Sequence, residues 1–372
     1  MARLHGFTKQ QVLDVYHTMV LARKLDDKMM TMLKQGKAFF HMGCSGHEAA
    51  QLAAANVMKG GEDWSYPYYR DGAYCLGLGM TAKEQLLSFL ARDADPNSGG
   101  RQMPMHYGHK ALRVVSQSSP TGTQFLQAVG CALTRKMEKS REIIYVSAGE
   151  GTTSQGDFHE ALNWASRAKA PIIFHIEDNE YAISTHRSDQ TAGSVYSMVN
   201  GYKNLSRYDV DGTNFFETNL AFKQAAERAR RGKGPTVIIS NVVRLVPHSS
   251  SDDQRKYRTP EALEEDQKQD PIHILENECL EEKFFTENDI EKINNEVKTH
   301  VDQDAEWAER QDHPAIENAL THVYSANGHT AETDFVPIAE KIVLVDAINP
   351  VSYTHLRAHE TSLHLVCRLL LE

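Results

Sequence analysis

The sequence is poor in the features of secreted, membrane-bound or nucleic-acid-binding proteins. Its five cysteines in 372 residues are scattered, odd in number and free of CxxC spacing, which argues against a disulfide framework or a cysteine zinc site and for a reducing cytoplasm. No apolar run is long enough to cross a bilayer, and the N-terminus lacks a signal-peptide core. The net charge of -10 contains no long block of one sign, so we expect neither a membrane nor a nucleic-acid partner.

Buried-type strands alternate with helical patterns in the middle of the chain. Apolar runs at residues 143–149, 171–177 and 235–243 predict three strands, and amphipathic patterns between them predict helices, one over residues 214–231. Strands that alternate with helices indicate an α/β fold with a doubly wound parallel sheet flanked by helices. In such sheets ligands bind at the carboxyl ends of the strands.

Helix signals flank this central pattern on both sides. Thr8 with Gln11 predicts a capping box that opens a helix over residues 8–34, and Thr81 with Glu84 predicts a second one. The strongly charged stretch 261–312 predicts a helical C-terminal arm, most of it solvated.

Polar residues follow each predicted strand. Glu150 lies between two glycines after the first, and Asn179 and Tyr181 follow the second. Glycines let backbone N–H groups approach phosphate oxygens, and Mg²⁺ prefers carboxylate, amide and carbonyl oxygens. The pattern is typical of a magnesium-diphosphate site, although a glycine-flanked acid by itself is more often only a tight turn.

Several motifs in the same order resemble those of a known enzyme family. They are YYRDGAYCLGLGM, GRQMPMHYG, SSPTGTQ, GEGTTSQGDFHEALNWAS, PIIFHIEDNEYAIS and HSSSDDQRKYR. Together they resemble the alpha subunits of thiamine-diphosphate-dependent 2-oxo acid dehydrogenases over about residues 10–335. The resemblance implies the thiamin-diphosphate-binding fold, with residues 1–335 as the alpha-type domain.

The resemblance also implies the residues of a cofactor site. Those expected to hold Mg²⁺ are Glu150, Asn179 and the carbonyl of Tyr181. Those expected to contact thiamine diphosphate are Tyr69, Arg70, Ser119, Gly149, Glu150, Gly151, Thr152, Asn179, Tyr181 and His248. Those matching a monovalent-cation (K⁺) site of branched-chain relatives are Ser118, Pro120, Thr123 and Gln124, in a segment that also reads as a helix N-cap.

Two histidines are the catalytic candidates. His248 matches the active-site histidine of the family's mobile loop, where it would stabilise the reacting carboxylate or donate a proton. His106 is expected to face the site or simply to pack within its loop. Ser249 occupies the position that is phosphorylated in mitochondrial relatives, and we expect it here to be a loop serine. Glu177 departs from the pattern, because branched-chain relatives carry a basic residue there; an acid would repel phosphate unless it pointed away or paired with Arg70.

The implied function is the oxidative decarboxylation of a branched-chain 2-oxo acid, 2-oxoisovalerate, with transfer of the acyl group to the lipoyl domain of a transacylase. The GEG sequence around Glu150 favours this branch. The family needs a beta-type subunit or fused beta half, which supplies a glutamate to the cofactor, in an alpha2beta2-like assembly. The alternatives are a pyruvate dehydrogenase alpha subunit and a truncated, non-catalytic assembly partner. Glu48 is the nearest acid of this chain that could replace the missing glutamate.

The C-terminal residues follow a different pattern. Residues 336–349 resemble the start of a truncated beta-type (transketolase pyrimidine-like) module, and residues 350–372 read as a non-native tail. The tail contains His355, His359, His364 and Glu360 at spacings that would otherwise indicate zinc.

Overall fold

The computed structural model describes residues 3–321. The expected beta-type start at 336–349 and the tail at 350–372, with its histidines, lie outside these residues. Within the described part of the chain, none of the helices combines the length and the apolar character needed to cross a bilayer.

A five-stranded parallel sheet forms the centre of the described chain. Its strands are β1 (Trp64–Tyr66), β2 (Ile144–Gly149), β3 (Ile172–Asp178), β6 (Ser206–Asp211) and β7 (Thr236–Asn241), in the order β1-β2-β3-β7-β6. A separate hairpin pairs β4 (Tyr181–Ala182) with β5 (Thr185–His186). The three predicted strands are therefore the three interior strands. The pattern missed both edge strands, because β1 is short and β6 is mostly polar, with a single buried residue instead of an apolar run.

Helices cover the sheet and extend beyond it. Their bounds are α1 (Lys9–Lys34), α2 (Glu48–Ala55), α3 (Gly72–Leu78), α4 (Ala82–Phe89), α5 (Thr123–Met137), α6 (Gly156–Ala168), α7 (Arg187–Gln190), α8 (Val195–Met198), α9 (Phe215–Arg230), α10 (Pro260–Lys268), α11 (Pro271–Glu281) and α12 (Glu287–Glu309). Both predicted capping boxes are present, at the starts of α1 and α4.

Alternate side chains of the strands enter two separate cores. Ile172, Phe174 and Ile176 of β3 pack in one core with residues of α5 and α6. Ile173 lies in the other core, with residues of α1, α2 and α9. Successive strand residues point to opposite faces, and a parallel sheet is buried on both faces. Each face of the sheet is therefore covered by its own layer of helices.

The C-terminal arm is less solvated than its charge predicted. Helix α11 packs against α1 and α2, and α12 packs against α1 and α4. Both bury an apolar stripe, which in α12 includes Val297, Val301 and Ala305, while most of their charged residues, apart from the buried Asp304, are at least partly exposed. The charge pattern predicted the outer face of the arm. It did not predict the narrow apolar stripe that packs the arm against the rest of the domain.

If the arm is an integral part of the fold, Leu275→Ala on α11 should lower the free energy of unfolding by about 2–5 kcal/mol, since Leu275 is fully buried. The matched control is Leu220→Ala, because Leu220 is exposed on α9 and its truncation should change stability by no more than about 0.5 kcal/mol. Urea denaturation of the full chain measures both. Equal effects of the two substitutions would contradict a packed arm.

Candidate cofactor site

A cavity of about 290 Å³ opens where β2 and β3 end. Strand β2 continues into a 3₁₀ turn at Glu150–Ser154 and then into α6, whereas β3 runs directly into Asn179. The residues that line the cavity are Tyr68, Tyr69, Arg70, Thr121, Gly149, Glu150, Gly151, Thr152, Gln155, Asn179, Tyr181, Ala182, Ile183 and His248. Residues from five separate segments thus meet at the carboxyl edge of the sheet, where doubly wound sheets bind their ligands.

Glu150 presents an unsatisfied carboxylate oxygen. Its Oε2 accepts a hydrogen bond from the backbone N–H of Asn179 at 3.3 Å, while Oε1 is buried and has no partner among the described residues. Burial, with a contribution from Asp178, raises the pKa of Glu150 to about 7. Asn179 lines the same cavity, and its side-chain oxygen accepts the N–H of Tyr181 at 3.2 Å. Such a set of hard oxygen donors fits a divalent cation such as Mg²⁺.

The Tyr181 carbonyl, the third expected metal ligand, also borders the cavity. Arg244 Nη1 lies 3.4 Å from this oxygen, at the long end of the hydrogen-bond range. A carbonyl oxygen has two lone pairs, so this weak contact leaves one free for a cation.

Two buried arginines lack ion-pair partners among the described residues. Arg70 donates to the carbonyl of Gly43 at 2.6 Å and to that of His248 at 3.2 Å. Arg244 donates to the Ile183 carbonyl and the Tyr257 hydroxyl, and its Nε has no partner. A buried charge without a counter-ion is costly, so this pair creates a demand for an anion. Arg70 lines the cavity, and the guanidinium fork suits phosphate oxygens.

A close contact explains the need for glycine at position 151. A Cβ atom at Gly151 would lie 2.6 Å from the Cβ of Ala182 in β4. The absent side chain therefore lets the turn after β2 pack directly against the hairpin that follows β3. This contact keeps the turn backbone at the cavity wall, where phosphate could approach it.

His248 is a neutral hydrogen-bonding group at the cavity wall. Burial and the neighbouring charges of Arg70 and Arg244 lower its pKa to about 4. Its Nδ1 lies 3.4 Å from Arg70 Nη2, and since arginine can only donate, Nδ1 accepts and Nε2 carries the hydrogen. Its backbone N–H donates to Asp252 at 2.9 Å, which holds the loop in place. His248 is thus prepared to donate a hydrogen bond from Nε2.

The loop that carries His248 is attached to the segment before α2. The backbone N–H of Ser250 donates to the His41 carbonyl at 2.8 Å, and the N–H of Leu245 donates to the Ser45 carbonyl. Ser249 is buried, and its hydroxyl lies 3.1 Å from that of Ser251. Ser249 is therefore an internal loop residue in this conformation.

Not every expected site residue lines the cavity. His106 Nε2 lies 2.6 Å from the Ser119 hydroxyl. Neither of these two residues lines the cavity. Thr121, from the same SSPTGTQ segment, reaches the cavity instead. The residues expected to hold a monovalent cation, Ser118, Pro120, Thr123 and Gln124, are also absent from the lining.

Two of those four residues already bond to each other. The Thr123 hydroxyl donates to the Pro120 carbonyl at 2.9 Å, and Gln124 Nε2 donates to the carbonyl of Ser147. The alternative interpretation of the segment as a helix N-cap is confirmed, because Gly122 within it is the N-cap of α5, although no side chain makes the capping bond.

Two acids that raised questions in the sequence lie outside the cavity. Glu177 follows the alternation of β3 into the core under α2, where its Oε2 contacts His47 Nδ1 at 2.6 Å. It makes no direct bond to Arg70, so of the two expected possibilities it takes the first and points away from the cavity. Glu48 is fully buried and pairs with Arg23 at 2.7 Å. Neither acid is available to a molecule in the cavity.

Sequence reasoning missed some of the cavity's residues. Tyr68, Thr121 and Gln155 line it, although each stands next to a residue or motif that was identified. Arg244, which is not among the predicted site residues, is buried beside the cavity wall. A useful signal for Arg244 was its position directly after an apolar strand, where a charged residue is unusual unless it serves the sheet edge.

Comparison with known proteins points to one family. The family described as Dehydrogenase E1 component matches residues 16–317. The chain is 43% identical over 322 residues to the 2-oxoisovalerate dehydrogenase subunit alpha of Bacillus subtilis, a match that covers 86% of this chain and 97% of that protein. It is 30% identical to the mitochondrial 2-oxoisovalerate dehydrogenase subunit alpha of Dictyostelium discoideum, over 86% of this chain and 72% of the relative. It is 32% identical to a pyruvate dehydrogenase E1 component subunit alpha of Staphylococcus aureus, over 82% of this chain and 80% of that relative.

The raised pKa of Glu150 predicts that, in the chain freed of metal with EDTA, the free energy of unfolding depends on pH. Its ordinary value is 4.5 and its folded value about 7, so the folded chain holds this proton more tightly, and stability falls as pH rises from about 4.5 to 7. Glu150→Gln removes the charge. At pH 8 it should therefore be more stable than the wild type by up to about 3 kcal/mol, and at pH 5 by much less. Urea denaturation at both pH values measures this, and a difference that does not change with pH would contradict it.

Proposed function

This chain belongs to the Dehydrogenase E1 component family, and on that premise we propose that it is the alpha subunit of a branched-chain 2-oxo acid dehydrogenase. The reaction is the oxidative decarboxylation of 2-oxoisovalerate, an activity of the EC 1.2.4 class. The observation that carries the proposal is the charge arrangement at the cavity. An unsatisfied carboxylate oxygen of Glu150 and the guanidinium of Arg70 belong to one cavity, with Arg244 buried beside it, and neither arginine has an ion-pair partner among the described residues. This arrangement calls for a cation and an anion together.

Magnesium and thiamine diphosphate fit this arrangement. Mg²⁺ would be held by Glu150, Asn179 and the Tyr181 carbonyl, whose oxygens satisfy its preference for hard ligands. The diphosphate would compensate the buried charge of Arg70. The other residues assigned to the cofactor are Tyr69, Ser119, Gly149, Gly151, Thr152 and His248. Of these residues, Ser119 has the least structural support as a cofactor contact, because it bonds to His106 and does not line the cavity.

Thiamine diphosphate, when bound, supplies the carbanion and the electron sink that decarboxylation of a 2-oxo acid requires. The protein's part is to position charges. His248 would donate from Nε2 to the substrate carboxylate, since Arg70 occupies Nδ1. Its low pKa keeps the ring neutral, so it contributes a hydrogen bond without adding a third positive charge next to Arg70 and Arg244. For His106, the other catalytic candidate, the contact with Ser119 supports a role in holding the loop.

A beta-type partner completes the proposed enzyme. Among the described residues that line the cavity, Glu150 carries the only carboxylate, and it is assigned to the metal. Glu48, the nearest alternative, pairs with Arg23. The acid that moves protons on the cofactor must then come from another subunit, in an alpha2beta2-like assembly, and the acyl group passes to a lipoyl-bearing transacylase.

The remaining assignments rest on the sequence. Residues 1–335 are proposed as the alpha-type domain, 336–349 as the start of a beta-type segment and 350–372 as a non-native tail. The scattered cysteines, of which Cys44, Cys75, Cys131 and Cys279 are free thiols, support a cytoplasmic location. A K⁺ ion at the SSPTGTQ segment would take the Pro120 carbonyl from its bond with Thr123.

The pyruvate alternative fits less well. The identity to the pyruvate dehydrogenase relative is 32%, against 43% to the 2-oxoisovalerate dehydrogenase relative, over similar shares of the chain. The third possibility, a non-catalytic assembly partner, conflicts with the costly buried charges, which only a bound cation and anion would compensate.

Glu150→Ala should abolish the thermal stabilisation that Mg²⁺ and thiamine diphosphate together give to the chain assembled with its beta-type subunit. A ligand that binds only the folded state at 100 times its Kd stabilises by about 2.7 kcal/mol, so the wild-type shift is measurable by differential scanning fluorimetry. The control is Glu180→Ala, since Glu180 is half exposed near the same strand end and pairs with Arg187. A Glu150→Ala protein with the full shift would exclude Glu150 as a metal ligand.

The purified chain alone should release no carbon dioxide from 3-methyl-2-oxobutanoate, because it lacks the partner's acid. General acid–base help contributes roughly 10²–10⁴-fold, and its loss leaves the rate near background. A beta-type subunit supplied in trans should restore release, as a ¹⁴CO₂ trapping assay would show. Robust turnover by the isolated chain would contradict the two-subunit mechanism, and Glu48 would then be the first residue to replace.

A further inference from the structure

A layer of buried polar side chains lies under the cavity, between β3 and the start of α2. His175 and Glu177 of β3 and His47 and Gln51 near α2 are each fully buried. The next residue of this strand face is Asn179, which lines the cavity. Within this layer, His47 contacts both Glu177 and Asn179, with Nδ1 at 2.6 Å from Glu177 Oε2 and Nε2 at 3.4 Å from Asn179 Nδ2.

The directions of these hydrogen bonds follow from their neighbours. The side-chain oxygen of Gln51 accepts from the backbone N–H groups of Ala73 and Tyr74, so its nitrogen faces Glu177 and donates to Oε2 at 2.9 Å. The Tyr68 hydroxyl donates to the same oxygen at 3.2 Å. Oε2 is therefore an acceptor, and His47 Nδ1 carries the hydrogen that completes the set.

The orientation of the Asn179 amide is determined from the other side. Its oxygen accepts the N–H of Tyr181 at 3.2 Å, so its nitrogen faces His47 Nε2. A ring protonated at Nδ1 accepts at Nε2, and the two assignments therefore agree. If the amide were flipped, its NH₂ group would stand where the metal needs an oxygen.

We propose that His47, held by Glu177, is a positioning residue that keeps the side-chain oxygen of Asn179 turned toward the metal site. The inference rests on the proposed function, in which Asn179 is a ligand of Mg²⁺. Groups behind metal ligands commonly orient them in this way, and their loss typically weakens metal binding by about 10–100-fold. Glu177 thus affects the cofactor site indirectly, because it holds His47, which in turn orients the Asn179 side chain.

His175 provides a matched control from the same buried layer. Its ring lies 2.9 Å from both the Tyr145 hydroxyl and the Ser240 hydroxyl, and 3.5 Å from Glu177 Oε1. It is as buried as His47 but does not contact Asn179 by a hydrogen bond. A role of His47 in stability alone would make the two histidines equivalent.

The test is a Mg²⁺ titration of the full chain, assembled with its beta-type subunit, at saturating thiamine diphosphate. The thermal shift gives the Mg²⁺ concentration of half-maximal stabilisation. His47→Leu should raise this concentration by roughly 10–100-fold, whereas His175→Leu should leave it unchanged even if it lowers the Tm of the metal-free protein. His47→Gln should restore most of the affinity, because its amide can donate to Glu177 and accept from Asn179. If His47→Leu does not fold, His47→Asn, which is too short to bridge the two, replaces it.

The outcomes separate this inference from the function on which it rests. A wild-type Mg²⁺ midpoint in His47→Leu or His47→Asn, or an equal loss in His175→Leu, would overturn the positioning role while leaving Asn179 as a ligand. A wild-type protein that Mg²⁺ does not stabilise at all would overturn the metal site, and the positioning role with it.

Discussion

Burial of the sheet on both faces is the constraint on which the site depends. Because helices cover both sides, successive buried residues of an interior strand enter opposite cores. In β3 the apolar residues Ile172, Phe174 and Ile176 fill one core. The alternate positions carry His175 and Glu177 into the other side. The same alternation continues past the end of the strand and leads to Asn179 at the cavity.

This alternation resolves the difficulty posed by an acid at position 177. Next to phosphate it would be repulsive, but β3 directs it under α2, where three donors surround one of its oxygens. The charge is buried and used, since it holds His47 against Asn179. The acid at position 177 therefore changes the buried residues that pack behind the cavity, and the residues that line the cavity are not affected.

Some buried charges at the cavity have no ion-pair partner among the described residues. Glu150 keeps one bare oxygen, and Arg70 and Arg244 have no acidic partners among the described residues. A fold selected only for stability would pair or remove these groups. These uncompensated charges lie at the ends of β2 and β3 and next to the loop of His248, where a metal and a diphosphate together would compensate them.

Local pattern alone determined the interior strands and the capped helices, and it predicted polar residues where the strands end. Apolar runs identify buried strands, and Glu150, Asn179, Arg70 and His248 stand in motifs that can be recognised along the chain. Edge strand β6 escaped detection because a half-exposed edge has no apolar run. The tertiary structure alone decided which distant residues meet those motifs. His47 and Glu177 are 130 residues apart, and Ser119 bonds to His106 instead of lining the cavity. Periodicity determines the face on which a side chain lies, whereas its partner depends on how separate helices pack over that face.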